Sequence, residues 1–190
     1  MAVAILAARW LAETNARRVL DVGSGCGKLC IVGALTSDLA FLGVEHRPHL
    51  IEVARQLAAR FALEHRVAFH EGTADGLPFE DFDTLYFYNP FGENVFAEDE
   101  QLDVTVELSV ERFTDDIHMM EEALVRMPVG ARVLTYHGFG GRIPDTYDLV
   151  RSKKTRTGLL RMWSKTRTES AGKYWLETED TALFREEHRR

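Results

Sequence analysis

The sequence predicts an α/β fold built on a mostly parallel sheet with an antiparallel edge strand and helices on both faces. Three observations carry this. Seven short apolar runs have strand character, helical periodicity separates the earlier ones, and the last two runs are joined only by a short basic link. The chain has 190 residues, 45% apolar and 28% charged, with no repeat, low-complexity tract or Ser/Pro-rich linker. One domain over residues 1–168 is expected, with 169–190 a C-terminal extension that is part of it or a tail.

Residues 2–12 are apolar round much of the helical circumference and read as a helix that closes near Asn15. Val19-Leu20-Asp21-Val22 is a buried strand stopped by glycines. Leu29 to Leu35 reads as a helix packed on the sheet, and Leu39 to Val44 as the next strand, ending at Glu45. Pro48 suits a first helical turn, after which Leu50, Ala54, Leu57 and Phe61 line one face. Val67-Ala68-Phe69, Thr84 to Tyr88 and Ala131 to Tyr136 are further strands. Between the last two, Leu102, Val106, Val110, Phe113, Ile117, Met120, Leu124 and Met127 recur at steps of three or four and predict one long helix. Tyr147 to Val150 and Leu159 to Ser164 predict an antiparallel pair at the sheet edge. Nothing after Thr168 is assigned.

The net charge of −7 argues against a surface that is wholly a nucleic-acid footprint. Cys26 and Cys30 are four apart, which fits neither a disulfide framework nor a C-x-x-C pair, so a reducing, cytoplasmic setting is expected. The N-terminal apolar stretch has no basic region ahead of it and is not expected to be a signal peptide. No run approaches the roughly 20 apolar residues of a membrane span. The seven histidines form no H-x-x-x-H pair, and no metal site is expected.

The chemistry starts at Asp21-Val22-Gly23-Ser24-Gly25-Cys26-Gly27-Lys28. Glycines between a strand and a helix permit positive φ and close approach of a ligand to the backbone. A Walker loop fails twice, because Val22 stands where its first glycine belongs and Leu29 follows Lys28. A dinucleotide loop fails once, because Lys28 occupies the place of the third glycine. Asp21 adds a physical objection to both: a carboxylate at the strand end repels pyrophosphate and suits a ligand bearing an ammonium group.

Asp21, Gly23, Gly25 and Gly27 match position by position the D/E-x-G-x-G-x-G motif of the class I S-adenosylmethionine-dependent methyltransferases, and the sequence resembles that family. The resemblance implies a Rossmann-like seven-stranded sheet, S-adenosyl-L-methionine as cofactor and S-adenosyl-L-homocysteine as product. It also implies that the loop, Ser24 included, cradles the cofactor while Glu45 accepts hydrogen bonds from the ribose hydroxyls and His46 borders the adenosine. Where the family usually carries Gly-Asp-Ala after the third strand, this chain has Gly72-Thr73-Ala74-Asp75. Thr73 occupies the Asp position and offers one acceptor, the Ala74 N–H suits adenine N1, and Asp75 is the alternative if the loop shifts.

Asn89-Pro90-Phe91 ends the fourth strand, and open α/β folds bind ligands at the carboxyl ends of their strands. It resembles the Asn-Pro-Pro-aromatic signature of amino-group methyltransferases, without the second proline, and also the Asn-aromatic strand end of the non-SET lysine methyltransferases. Either likeness implies a nitrogen acceptor: Asn89 and the Pro90 carbonyl receive its N–H groups, and Phe91 stacks on a planar substrate. Methyl transfer depends mainly on orientation, so neither a catalytic triad nor a metal is expected. A non-catalytic S-adenosylmethionine or nucleotide-binding module is the alternative, and a nicotinamide-dependent oxidoreductase is disfavoured by the glycine spacing.

Residues 92–122 hold eleven acids against one base, Arg112, and residues 142–173 hold nine bases against three acids. The acidic segment is either the solvated face of the long helix or an overhang that attracts a basic protein or small amine. The basic segment leaves a phosphate contact open, although nucleic acid is not the favoured partner. His137, at the end of the fifth strand, lies near the expected site. The oligomeric state and the identity of the acceptor are not assigned.

Overall fold

The computed structural model describes residues 2–177 and, as backbone, 182–186. Its strands are β1 (Arg18–Val22), β2 (Ala40–Glu45), β3 (Val67–Glu71), β4 (Thr84–Tyr88), β5 (Arg132–Tyr136), β6 (Arg142–Pro144), β7 (Tyr147–Lys154), β8 (Leu159–Lys165), β9 (Lys173–Glu177) and β10 (Ala182–Glu186). The helices are α1 (Ala2–Ala12), α2 (Lys28–Thr36), α3 (Pro48–Arg60) and α4 (Val110–Arg126). Seven strands form a mostly parallel sheet in the order β3-β2-β1-β4-β5-β8-β7, and β10-β9-β6 form a second sheet. No helix among the described residues is long and apolar enough to cross a membrane. The chain divides into two units, Met1–Tyr86 and Phe87–Arg190.

In the first unit β1, β2 and β3 pair in parallel, with Val19 opposite Phe41 and Phe41 opposite Val67. Val19, Leu20 and Val22 are at most 2% exposed, as expected of an unbroken apolar run covered on both faces. Burying each such side chain contributes about 1.5–3 kcal/mol. The helix α1 packs on α2, and α2 sits tightly on the sheet because Gly33 leaves room for the Phe41 ring; a Cβ there would lie 2.2 Å from Phe41 Cζ. The buried face of α3 is Ile51, Ala54 and Ala58, one position round from the expected stripe, and Phe61 is 46% exposed. Small alanines allow the close approach to the glycine loop that larger side chains would block.

In the second unit β8 runs antiparallel to both β5 and β7, and β7–β8 is the expected edge pair, each strand starting where expected and longer at its C-terminal end. Lys173–Glu177, left unassigned from sequence, forms β9 and pairs with β6 and β10. Of the expected extension 169–190, residues 178–181 and 187–190 lie outside the described residues. The long helix is shorter than its stripe predicts. It begins at Val110, where Ser109 Oγ caps it by accepting the Arg112 N–H at 3.1 Å. Upstream, Asp103 takes the Thr105 N–H at 2.9 Å, a local turn that competes with helix. Leu102 and Val104 are accordingly 62% and 79% exposed. Met120, Ala123 and Leu124 bury the face of α4, and Glu121 fixes it to β6 by accepting from Arg142 N, Nε and Nη2 at 2.8, 2.9 and 2.6 Å.

Candidate functional site

The glycine loop joins β1 to α2 with Gly23, Gly25 and Gly27 all at positive φ (71°, 53° and 74°). Two of them do different work. A Cβ on Gly27 would meet the Phe69 ring at 2.5 Å, so this glycine lets the loop lie on the core. A Cβ on Gly25 would meet nothing within 4 Å, so the backbone there faces open space. The loop is held from β2: Ser24 N donates to Val44 O at 2.9 Å, and Gly25 N donates to Glu45 Oε2 at 3.0 Å. Glu45 Oε1 accepts the Arg47 N–H at 3.0 Å and lies 3.7 Å from His46 Nε2, while Arg47 Nη1 is 3.1 Å from the same ring nitrogen.

Asp21 is 3% exposed and 3.5 Å from Cys30 Sγ, which donates to it. Burial pushes its carboxyl up to about 7; the thiol contact opposes this and the nearby Glu45 adds to it. Burial beside Asp21 also drives the Cys30 thiol well above its ordinary range. Ser24 Oγ is buried and has no hydrogen-bond partner among the described residues. An unmet hydroxyl, an open backbone at Gly25, a desolvated carboxyl and a Glu45 with lone pairs to spare together fit a ligand that offers a cation and several hydroxyls. Thr73 is exposed and Ala74 buried, with Gly72 N donating to Glu45 O at 3.0 Å. Asp75 is exposed.

In the second unit Asn89 carries φ 44° and His137 φ 62°, both in the left-handed region, and Asn89 N donates to Gly138 O at 3.0 Å. The Asn89 amide packs over Gly92, where a Cβ would lie 2.3 Å from Nδ2. Pro90 is half-buried. Phe91 is only 7% exposed, so its ring belongs to the core and is not presented for stacking. The exposed aromatic at this strand end is Tyr88, 51% exposed, 4.9 Å from Tyr136 and 5.6 Å from His137 between ring centroids.

Asn89 and His137 line a cavity of about 530 Å³ with Gly138, the β7–β8 hairpin from Lys154 to Leu159, Arg161 and Glu177. The hairpin tip is anchored by Tyr136, whose hydroxyl lies 2.8 Å from Thr155 Oγ1 and 2.6 Å from Thr157 Oγ1. No acid of residues 92–122 is in the lining; the basic segment supplies Lys154, Arg156 and Arg161. Sequence reasoning reached Asn89 and His137 and missed Tyr88, the hairpin threonines, Arg161 and Glu177. The basic run 151–156 was the available signal.

A strand, a three-glycine loop at positive φ, a helix and an acidic residue closing the next strand define an α/β protein with an open backbone loop at a strand end. Residues 13–123 match the family model described as a methyltransferase domain, and the chain belongs to that family, the class I S-adenosylmethionine-dependent methyltransferases. The chain is 30% identical over 166 residues to ribosomal protein L11 methyltransferase of Deinococcus radiodurans, covering 86% of this chain and 52% of that protein. It is 36% identical over 69 residues to ajmaline N-methyltransferase of Rauvolfia serpentina, covering 36% of this chain and 24% of that one. It therefore spans about a quarter to a half of the length of these curated relatives. An RNA methyltransferase from Salinibacter ruber in complex with S-adenosyl-L-homocysteine has the same fold, with TM-score 0.62 and 16% identity over 88% of this chain and 93% of that one.

Proposed function

We propose that this protein transfers a methyl group from S-adenosyl-L-methionine to a nitrogen acceptor. The observation that carries the reading is the arrangement of Asp21, the glycine loop and Glu45, in which a buried carboxyl and open backbone lie near a second carboxylate that accepts the Gly25 and Arg47 N–H groups. Asp21 would take the ammonium of the methionine moiety, Glu45 the ribose hydroxyls, Gly23 to Gly27 and Ser24 the close backbone approach, and His46, Thr73 and Ala74 the adenosine. When bound, the cofactor would supply an electrophilic methyl group to the lone pair of the acceptor nitrogen.

The chain's own residues have a modest chemical task. They hold the nitrogen neutral and oriented, which is where most of the rate lies. Asn89 and the Pro90 carbonyl accept the N–H groups of the acceptor, directing its lone pair away from them. Asn89 is held at its positive φ by its surroundings, among them the N–H bond to Gly138 in the loop that follows β5. The name of one curated relative, an N-methyltransferase, supports nitrogen as acceptor.

Calorimetry with S-adenosyl-L-homocysteine and NAD tests the cofactor. Binding of the first and not the second is expected, and the opposite result ends the reading. Asn89→Ala is expected to keep S-adenosyl-L-homocysteine affinity while losing methylation of any acceptor found; Glu45→Ala is expected to lose cofactor affinity by roughly 1.5–3 kcal/mol. A chain that binds the cofactor but methylates nothing in acceptor screens favours the binding module instead.

A further inference from the structure

Residues 93–104 follow the turn at Asn89 and stop short of α4, which begins at Val110. They close on themselves. Glu93 Oε1 accepts the Leu102 N–H at 2.5 Å, Gln101 Nε2 donates to Phe96 O at 3.2 Å, and Glu100 N donates to Ala97 O at 2.9 Å, so the two ends of the loop 93–102 are held together. The loop is rooted at Asn89, whose carbonyl accepts the Gly92 N–H at 3.4 Å and whose amide packs over Gly92. None of its residues lines the cavity beside Asn89, so its surface is separate from that wall.

This surface is apolar and acidic at once. Val95 and Phe96 are 49% and 44% exposed, Leu102 62% and Val104 79%. A single exposed apolar side chain is ordinary, whereas several gathered in one short segment mark an interaction surface. Glu98, Asp99 and Glu100 stand among them, all exposed, and no carboxylate of the three has an ion-pair or hydrogen-bond partner among the described residues. No Lys, Arg or His occurs between Gly92 and Glu111. Arg112, the next base, is turned elsewhere: its Nε lies 3.8 Å from Asp116 and its Nη1 donates to Glu107 O at 3.2 Å. The three like charges repel one another, and a cation brought by a partner removes that repulsion.

Charge selects the occupant. These carboxylates repel a nucleic acid, and a neutral apolar peptide leaves them unmet. A chain that interleaves Lys or Arg with apolar side chains meets both features.

We infer that this loop docks a basic segment of a partner protein, with apolar side chains covering Phe96, Leu102 and Val104 and Lys or Arg side chains pairing with Glu98, Asp99 and Glu100. So little chain separates Glu93 from Asn89 that the two lie within about 14 Å of each other, so the docked segment is delivered near the Asn89 turn. Only the statement that this segment carries the methyl acceptor rests on the methyl-transfer reading; the docking does not.

The experiment is calorimetric titration of the full chain with three synthetic peptides of equal length, each spaced by glycines: one alternating Lys with Leu, one Lys with Ser, and one Gln with Leu. The Lys-Leu peptide is expected to bind about tenfold or more tightly than either other, and to lose that advantage over the Gln-Leu peptide as salt rises from about 0.05 to about 0.5 M. Glu98→Gln with Asp99→Asn and Glu100→Gln is expected to bring it down to the Gln-Leu level, and Leu102→Ser with Val104→Ser to the Lys-Ser level. All five positions are solvent-facing, so the fold is expected to persist, as circular dichroism checks. Glu64→Gln with Asp81→Asn and Asp115→Asn removes the same charge from exposed positions elsewhere and is expected to leave Lys-Leu binding unchanged. A Lys-Leu peptide that binds no better than the other two overturns the inference. So does an equal loss in the two charge-neutralised variants, which would make net charge the attractant. Sedimentation that finds self-association dissolved by the loop substitutions also overturns it, because the occupant is then a second copy of this chain. S-adenosyl-L-homocysteine is titrated in parallel: if it binds and the Lys-Leu peptide does not, the inference fails and the methyl-transfer reading stands, and the converse result does the reverse.

Discussion

Asp21→Asn is the substitution that most directly tests the electrostatics of the glycine loop. In the folded protein the Asp21 carboxyl is pushed from 3.8 to about 7, chiefly by burial. The folded state therefore holds this proton more tightly than the unfolded chain does. Below about pH 3 both states carry it and the site costs nothing, and near pH 4 it still costs little. As pH rises from about 4 to about 7 the unfolded chain releases the proton first, and stability falls; above about 7 the whole cost is present. At 1.36 kcal/mol per unit, a displacement of about three units sets a ceiling of about 4 kcal/mol. Asparagine keeps the shape and removes the ionisation. Asp21→Asn is thus expected to match the parent near pH 4 and to exceed it at pH 8 by up to about 4 kcal/mol, or roughly 8–16 °C in Tm for a chain of this size. Thermal unfolding followed by circular dichroism at pH 4, 6 and 8 reads this out, and Tm–pH curves that run parallel refute it. The same variant separates stability from function. If Asp21 meets a ligand ammonium, the stabilised protein binds S-adenosyl-L-homocysteine more weakly, by roughly 1.5–3 kcal/mol; undiminished affinity removes Asp21 from the proposed contacts.

Gly27→Ala and Gly25→Ala should part company although both glycines have positive φ. The first drives a methyl group to 2.5 Å from the Phe69 ring and is expected to cost about 2–4 kcal/mol of stability by urea denaturation, whereas the second meets no atom and is expected to cost about 1 kcal/mol while weakening cofactor binding. Equal losses of stability would show that backbone strain alone decides. Cys26 is half-buried and Cys30 is 0% exposed with its thiol pushed well up, so iodoacetamide is expected to label Cys26 in the native protein and Cys30 only after unfolding, as read by peptide mass spectrometry. S-adenosyl-L-homocysteine is expected to slow the labelling of Cys26, and native labelling of Cys30 would contradict the burial that also raises Asp21.

What was legible in the sequence was what the chain encodes locally. Leu20 and Leu85 are each 0% exposed within runs whose ends are marked by glycine or Asn-Pro, so β1 and β4 could be placed almost to the residue. The glycine loop was legible for the same reason, since its spacing lies within seven consecutive residues. The stripe from Leu102 misled because periodicity does not register a start signal: Ser109 is a better N-cap than any residue before it, and Asp103 diverts the backbone into a turn. The face of α3 was one residue off because two alanines, weak signals in a hydrophobic pattern, carry its packing. The cavity wall was beyond sequence reading. It unites the end of β5, a hairpin tip and the last residue of β9, and no spacing rule links Tyr136, Thr155 and Glu177.

Charge shows most clearly why proximity in sequence misleads here. The acidic segment directly follows Asn-Pro-Phe, yet several of its carboxylates are turned to local work. Glu93 accepts the Leu102 N–H at 2.5 Å, Asp116 lies 3.8 Å from Arg112, and Glu121 is committed to Arg142. The lining beside Asn89 comes instead from the basic hairpin, so the protein's net charge of −7 says little about what its cavity attracts.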